Sequence, residues 1–245
     1  MRLLVCVLLA ATAGSATAGP DRDGGTGVAK ASVRIFADSA AGPIKELNGG
    51  NLAPPLMDEE MPGCDIRESF SRLNIPITRL HDAPLENAGM RVVDIPLIFA
   101  NFHADANDPR NYYFDQTDDY IRNCVESGTQ VYYRLGTSIE HSRNKYFTDP
   151  PSDAGKWIDV VSNVIRHYTE GKWNGYRYDI EYWEIWNEPD LGPKMWTGTL
   201  EAFNDFYATA ARELKKRFPH LKFGGPGHCA FGEEKVKAFA ENCAK

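Results

Sequence analysis

The sequence predicts an α/β protein of the (β/α)8 barrel class, with about the first five βα units carried by its 245 residues. Three observations lead there. Short apolar runs alternate five times with amphipathic stretches of helical length, a pattern that requires βαβ units and a parallel sheet. The apolar runs end on polar residues that a barrel would gather at one mouth. An open doubly wound sheet is the competing architecture, but no Gly-x-Gly-x-x-Gly turn is present, since GGTG at 24–27 precedes any strand and GGPG at 224–227 lacks the spacing, so a dinucleotide or phosphate site is not expected.

The elements follow in order. KELNGGNL (45–52) is the first barrel strand, and a short helix through IRESFSRL (66–73) leads to IPITRLHD (75–82), the second. A loop over 83–116 then carries the aromatic cluster Asn111-Tyr112-Tyr113-Phe114, and its length exceeds what a connector requires. Helix QTDDYIRNCVES stops at Gly128, a suitable C-cap, before strand TQVYYRLGTS. Helix DAGKWIDVVSNVIRHYTEG precedes the fourth strand, YDIEYWEIWNEPD. The helix from Thr199 to Phe218 has Lys215, Lys216 and Arg217 in its last turn, where the helix dipole favours cations. LKFGGPG is the fifth strand and EEKVKAFAENCA starts the fifth helix.

Five such units take about 200 residues, and a complete barrel would need roughly 120 more. Strands one and five alone would leave apolar edges, which folded proteins avoid. The expectation is therefore a part of a longer protein: a signal peptide at 1–18, a Gly- and Asp-rich linker at 19–31, a strand at 32–44 that the family resemblance given below places in an accessory β-sandwich, and a partial barrel at 45–245. The signal peptide is read from Arg2, the apolar run 3–11 and the small-residue site Ala16-Thr17-Ala18, with cleavage after Ala18. It predicts a secreted or periplasmic protein. The apolar run is too short to span a bilayer.

With 42% hydrophobic and 25% charged residues the composition is that of a globular protein. A net charge of -7 argues against nucleic acid or an anionic membrane as partner, because both favour clustered Lys and Arg. A neutral ligand is unobjectionable, and no cofactor is expected. Cys64, Cys124, Cys229 and Cys243 remain after cleavage, and spacing leaves their three pairings open. Cys124, on an apparent helix, reads as a buried thiol. No Cys pair has zinc spacing, and Asp105, Asp108 and Asp115 lack the calcium-loop pattern, so no metal site is expected.

The C-terminal strand ends bring together Asn51; Arg79, His81 and Asp82; Gly136 and Thr137; Asn187 and Glu188; and Gly225 to His228. Glycoside hydrolysis needs a carboxylic acid to protonate the leaving oxygen and a second carboxylate as nucleophile if configuration is retained. Glu188 fits the acid, and Asn187 can both donate to and accept from a sugar hydroxyl. Strict strand alternation would send these neighbours to opposite faces, so the strand must bulge or turn, as Pro189 allows. Glu184, deeper on the strand, reads as a structural carboxylate paired with Arg79 or Arg134. Trp196 offers either a face for a sugar ring or a packing plug against the strand-four loop. His81 is open between a sugar contact and a core histidine. His141 and His228 are loop residues near the mouth.

WEIWNEPD resembles the acid/base motif of retaining clan A glycosidases. Together with NLAPPL, TRLHD, YYFDQTDDYI and LKFGGPG in order, it makes residues 45–245 resemble glycoside hydrolase family 39, the β-xylosidases and α-L-iduronidases. The resemblance implies Glu188 as general acid/base, Asn187 on the sugar 2-hydroxyl, His81 bonded to the sugar, and Arg79 beneath, near a nucleophile Glu on a seventh strand that the sequence does not contain. Met57-Asp58-Glu59 stands where the iduronidase branch has a histidine, which favours the xylosidase branch. The expected function is a secreted, exo-acting, β-xylosidase-like retaining hydrolase acting on an oligosaccharide or glycoside. The rival is a secreted carbohydrate-binding pseudoenzyme without a nucleophile.

Overall fold

The computed structural model describes residues 42, 48–52, 66–81 and 91–244. The signal peptide, linker, accessory strand, Met57-Asp58-Glu59, Cys64 and Asp82 lie outside the described residues.

Five parallel strands pair in chain order, β1 Gly50–Asn51, β2 Ile77–Leu80, β3 Gln130–Leu135, β4 Tyr182–Ile185 and β5 Lys222–Gly224. Between them run the helices α1 Arg67–Arg72, α2 Ile95–Ile98, α3 Asp115–Glu126, α4 Ala154–Thr169 and α5 Leu200–Arg217, with α6 Glu233–Cys243 last. Sequential parallel order with a helix after each strand is the (β/α)8 barrel pattern, here with five units.

The strands alternate. Thr78, Leu80, Val131, Tyr133, Leu135, Trp183 and Ile185 are buried on the face that meets the helices. Tyr133 stacks on Trp183 with ring centres 5.1 Å apart and lies 6.1 Å from Tyr168 of α4. The apolar stripe of α4, from Trp157 and Ile158 through Val161, Val164, Ile165 and Tyr168, closes this layer. The helices start and stop where the sequence indicates. The side chain of Asp153 accepts from the Lys156 amide at 2.9 Å, and Thr199 from that of Ala202 at 3.2 Å. Gly128 ends the α3 turn at φ +78°.

The described part of the long connection, residues 91–116, is more ordered than its sequence suggests. It holds the single-turn α2 and a 3-10 turn at Pro109–Asn111. Its end packs into the core, with Tyr112 bonded to the Ala106 carbonyl at 2.7 Å and Phe114 stacked on His167 at 3.7 Å. Cys124 is buried and free, as a small core hydrophobe, and burial pushes its thiol well up; Cys229 and Cys243 are free and exposed.

Candidate functional site

The inner strand face carries charge. Arg79 on β2 donates from Nε to Glu184 Oε2 of β4 at 2.7 Å, and its Nη2 donates to Asn187 Oδ1. Between the two proposed partners for Glu184, the structure selects Arg79. Arg134 pairs instead with Asp94, Nη2 to Oδ1 at 2.5 Å, in the loop that crosses above β3. Asp94 also accepts from the Ser138 amide at 2.7 Å, from Ser138 Oγ at 2.9 Å and from Thr137 Oγ1 at 3.2 Å. That is ample compensation for a carboxylate that is 1% exposed.

His81 follows β2 and is buried beside both guanidiniums. Burial first, then the charges of Arg134 and Arg79, push its pKa down to about 2. The imidazole is therefore neutral at any working pH. Tyr132, between Arg79 and Glu184, has its phenol pushed up to about 12, by burial first and by the Glu184 charge second. It keeps its proton and can donate.

The β4 end departs from strand geometry as its sequence requires. Regular pairing stops at Ile185; Trp186 turns left-handed at φ +67° and Glu188 at φ +41°. The Trp186 amide still donates to Leu135 O at 2.7 Å, and its indole Nε1 donates to Met195 O at 2.8 Å. Gly136 permits this turn, because a Cβ there would sit 3.2 Å from Trp186 Cα and its φ of +152° disfavours side chains. Left-handed non-glycine residues cost about 1–3 kcal/mol each and persist only where surroundings over-determine them. Here those surroundings include the loop after β5: the Glu188 amide donates to Pro226 O at 2.9 Å.

The outcome is a half-buried Glu188 next to Asn187, which is 2% exposed and whose Nδ2 has no hydrogen-bond partner among the described residues. Gly227 sits over the cluster; a Cβ there would lie 3.0 Å from Glu184 Oε1 and 3.8 Å from Asn187 Oδ1. Arg79, Glu184, Asn187 and Gly227 are thus one assembly, with Glu188 and His81 at the same C-terminal ends of β4 and β2.

Trp196 does not join it. The ring is 2% exposed, edge-on to Trp186 at 5.2 Å and to Phe203 at 5.1 Å, and stacked on Phe206 at 5.6 Å, with Nε1 donating to Thr199 O at 3.1 Å. Its assignment to sugar binding is corrected: at 2% exposure, within the aromatic cluster of Trp186, Phe203 and Phe206, the ring offers no surface on which a sugar could stack. His141 is exposed, and His228 packs against Phe239 at 5.6 Å.

Two residues escaped the sequence reading. Asp94 lies in the long connection whose length points to a functional or capping role, and its own signal is a position just ahead of Ile-Pro at a helix start. Asp190 was quoted within the motif without a role; Lys235, placed unfavourably near a helix N-terminus, was the available hint of a buried anion. Burial pulls the Asp190 carboxyl up, but hydrogen bonds from Lys235 and from the Cys229 and Ala230 amides hold it below its ordinary value.

A family model described as Glycosyl hydrolases family 39 matches residues 83–245. A β-xylosidase of Geobacillus stearothermophilus is 34% identical over 101 residues, 39% of this chain and 19% of that enzyme. An α-L-iduronidase of Canis lupus familiaris is 30% identical over 125 residues, 48% of this chain and 18% of that enzyme. A glucosidase structure from Croceicoccus marinus superimposes with a TM-score of 0.67 at 25% identity, over 82% of this chain and 42% of that one. The matches thus span about a fifth of those curated relatives and under half of that solved structure.

Proposed function

Because the chain belongs to glycosyl hydrolase family 39, we propose that it carries the acid/base half of a retaining, exo-acting, β-xylosidase-like glycosidase. The observation that carries this reading is the left-handed turn at Glu188, at a strand end beside a buried Asn187 held by Arg79.

In the proposed reaction Glu188 protonates the glycosidic oxygen as a carboxylate about 5–5.5 Å away attacks the anomeric carbon. Glu188 then takes a proton from water as the glycosyl-enzyme is hydrolysed. The attacking carboxylate is proposed to come from a strand outside this sequence, so residues 19–245 alone are expected to show no retaining hydrolysis. Asn187 Nδ2 supplies a donor for the sugar 2-hydroxyl. His81, neutral, supplies one donor and one acceptor, and Arg79 braces Asn187 from below. A glycoside is the proposed substrate. Export is part of the proposal and is supported by Arg2, the apolar run and the Ala16-Thr17-Ala18 site.

The test is a panel of aryl glycosides on the full-length protein, with the product anomer followed by NMR, against Glu188→Gln. Loss of the acid should lower kcat/KM by about 10²- to 10⁴-fold for poor leaving groups and much less for good ones. Equal activity of the two proteins on every substrate would sink the assignment, and saccharide binding without turnover by the intact protein would favour the binding-protein rival.

A further inference from the structure

The carboxylate of Asp190 is 3% exposed and closes three contacts, two on the loop after β5 and one on the first turn of α6. Oδ1 accepts from the Cys229 amide at 2.9 Å; Oδ2 accepts from the Ala230 amide at 3.2 Å and from Lys235 Nζ at 2.5 Å. Lys235 lies in the first turn of α6, where the helix dipole opposes a cation, and it also donates to Ala230 O at 3.0 Å. Its placement makes sense as the counter-charge of Asp190.

Two residues earlier, the Glu188 amide donates to Pro226 O at 2.9 Å. The β4 and β5 loops are therefore joined at two rungs, 188 to 226 and 190 to 229–230. Glu188 sits at the upstream rung in a backbone state that only its surroundings can hold. Gly227, between the rungs on the β5 side, faces Glu184 and Asn187. Releasing Asp190 frees residues 226–230, and with them both the acceptor of the Glu188 amide and the roof of the Arg79 assembly.

From this geometry we infer that Asp190, paired with Lys235, is a positioning residue for Glu188: it holds the acid/base carboxyl at the height the glycosidic oxygen requires. The inference rests on the reading of Glu188 as the acid/base. A misplacement of about 1 Å costs on the order of 10²-fold in rate, so the effect belongs in proton transfer rather than in substrate affinity.

The experiment uses the full-length protein, with Asp190→Ala, Asp190→Asn and Lys235→Met beside Glu188→Gln, on aryl glycosides of graded leaving-group pKa, and with thermal unfolding recorded for each. Asp190→Asn keeps the shape and one acceptor, so it stands in should the alanine variant fail to fold. Expected is a drop in kcat/KM of about 10- to 100-fold on poor leaving groups, little change in kcat/KM on good ones, KM on the poor ones within about twofold, and a weaker change in the same direction for Lys235→Met. An equal loss on good and poor leaving groups, or a lower melting temperature with unchanged leaving-group dependence, makes Asp190 a loop staple and overturns the inference alone. Absence of leaving-group dependence in Glu188→Gln overturns the acid/base reading and the inference with it.

Discussion

Arg79 and Glu184 are held at 2.7 Å although β3 separates their strands. Arg79, whose strand partner is Tyr132, thus reaches across β3 to a carboxylate two strands away. The guanidinium then continues to Asn187, so one side chain joins the strand floor to the candidate site.

That pair predicts an asymmetric response to mutation. Arg79→Met leaves Glu184 buried without its cation and should destabilise by about 3 kcal/mol or more, whereas Arg79→Met with Glu184→Gln should recover much of that loss. Urea unfolding of the single and double variants measures both, and a double variant no better than the single would contradict it.

His81 predicts a pH dependence. Its folded pKa of about 2 lies below the ordinary 6.5, so the unfolded chain binds the extra proton. The contribution is fully present above about pH 6.5 and is lost as pH falls toward 2, with a slope approaching 1.4 kcal/mol per pH unit. Unfolding free energies of wild type and His81→Gln between pH 4 and 7 should differ by an amount that shrinks with acid. A constant difference would show that His81 is not held neutral.

Trp196 predicts stability without specificity. Trp196→Ala should cost about 3–5 kcal/mol by emptying the aromatic layer, and Trp196→Phe should lose less. In the phenylalanine variant KM for glycosides should match wild type. A several-fold rise in KM at full stability would restore Trp196 to the binding surface.

The order of strands and helices, the C-cap at Gly128, and the departure from strand geometry at the end of β4 were legible in the sequence. All follow from local causes: apolar period, capping chemistry, and the stiffness of Pro189. Only the tertiary structure decided that Glu184 takes Arg79 while Arg134 takes Asp94, that Trp196 is walled in by Phe203 and Phe206, and that Asp190 clamps the neighbouring loop. Each joins side chains from separate elements through irregular backbone, whose direction is set by hydrogen bonds to other elements. Neither period nor propensity encodes such partners; the register of a parallel sheet and the course of its loops do.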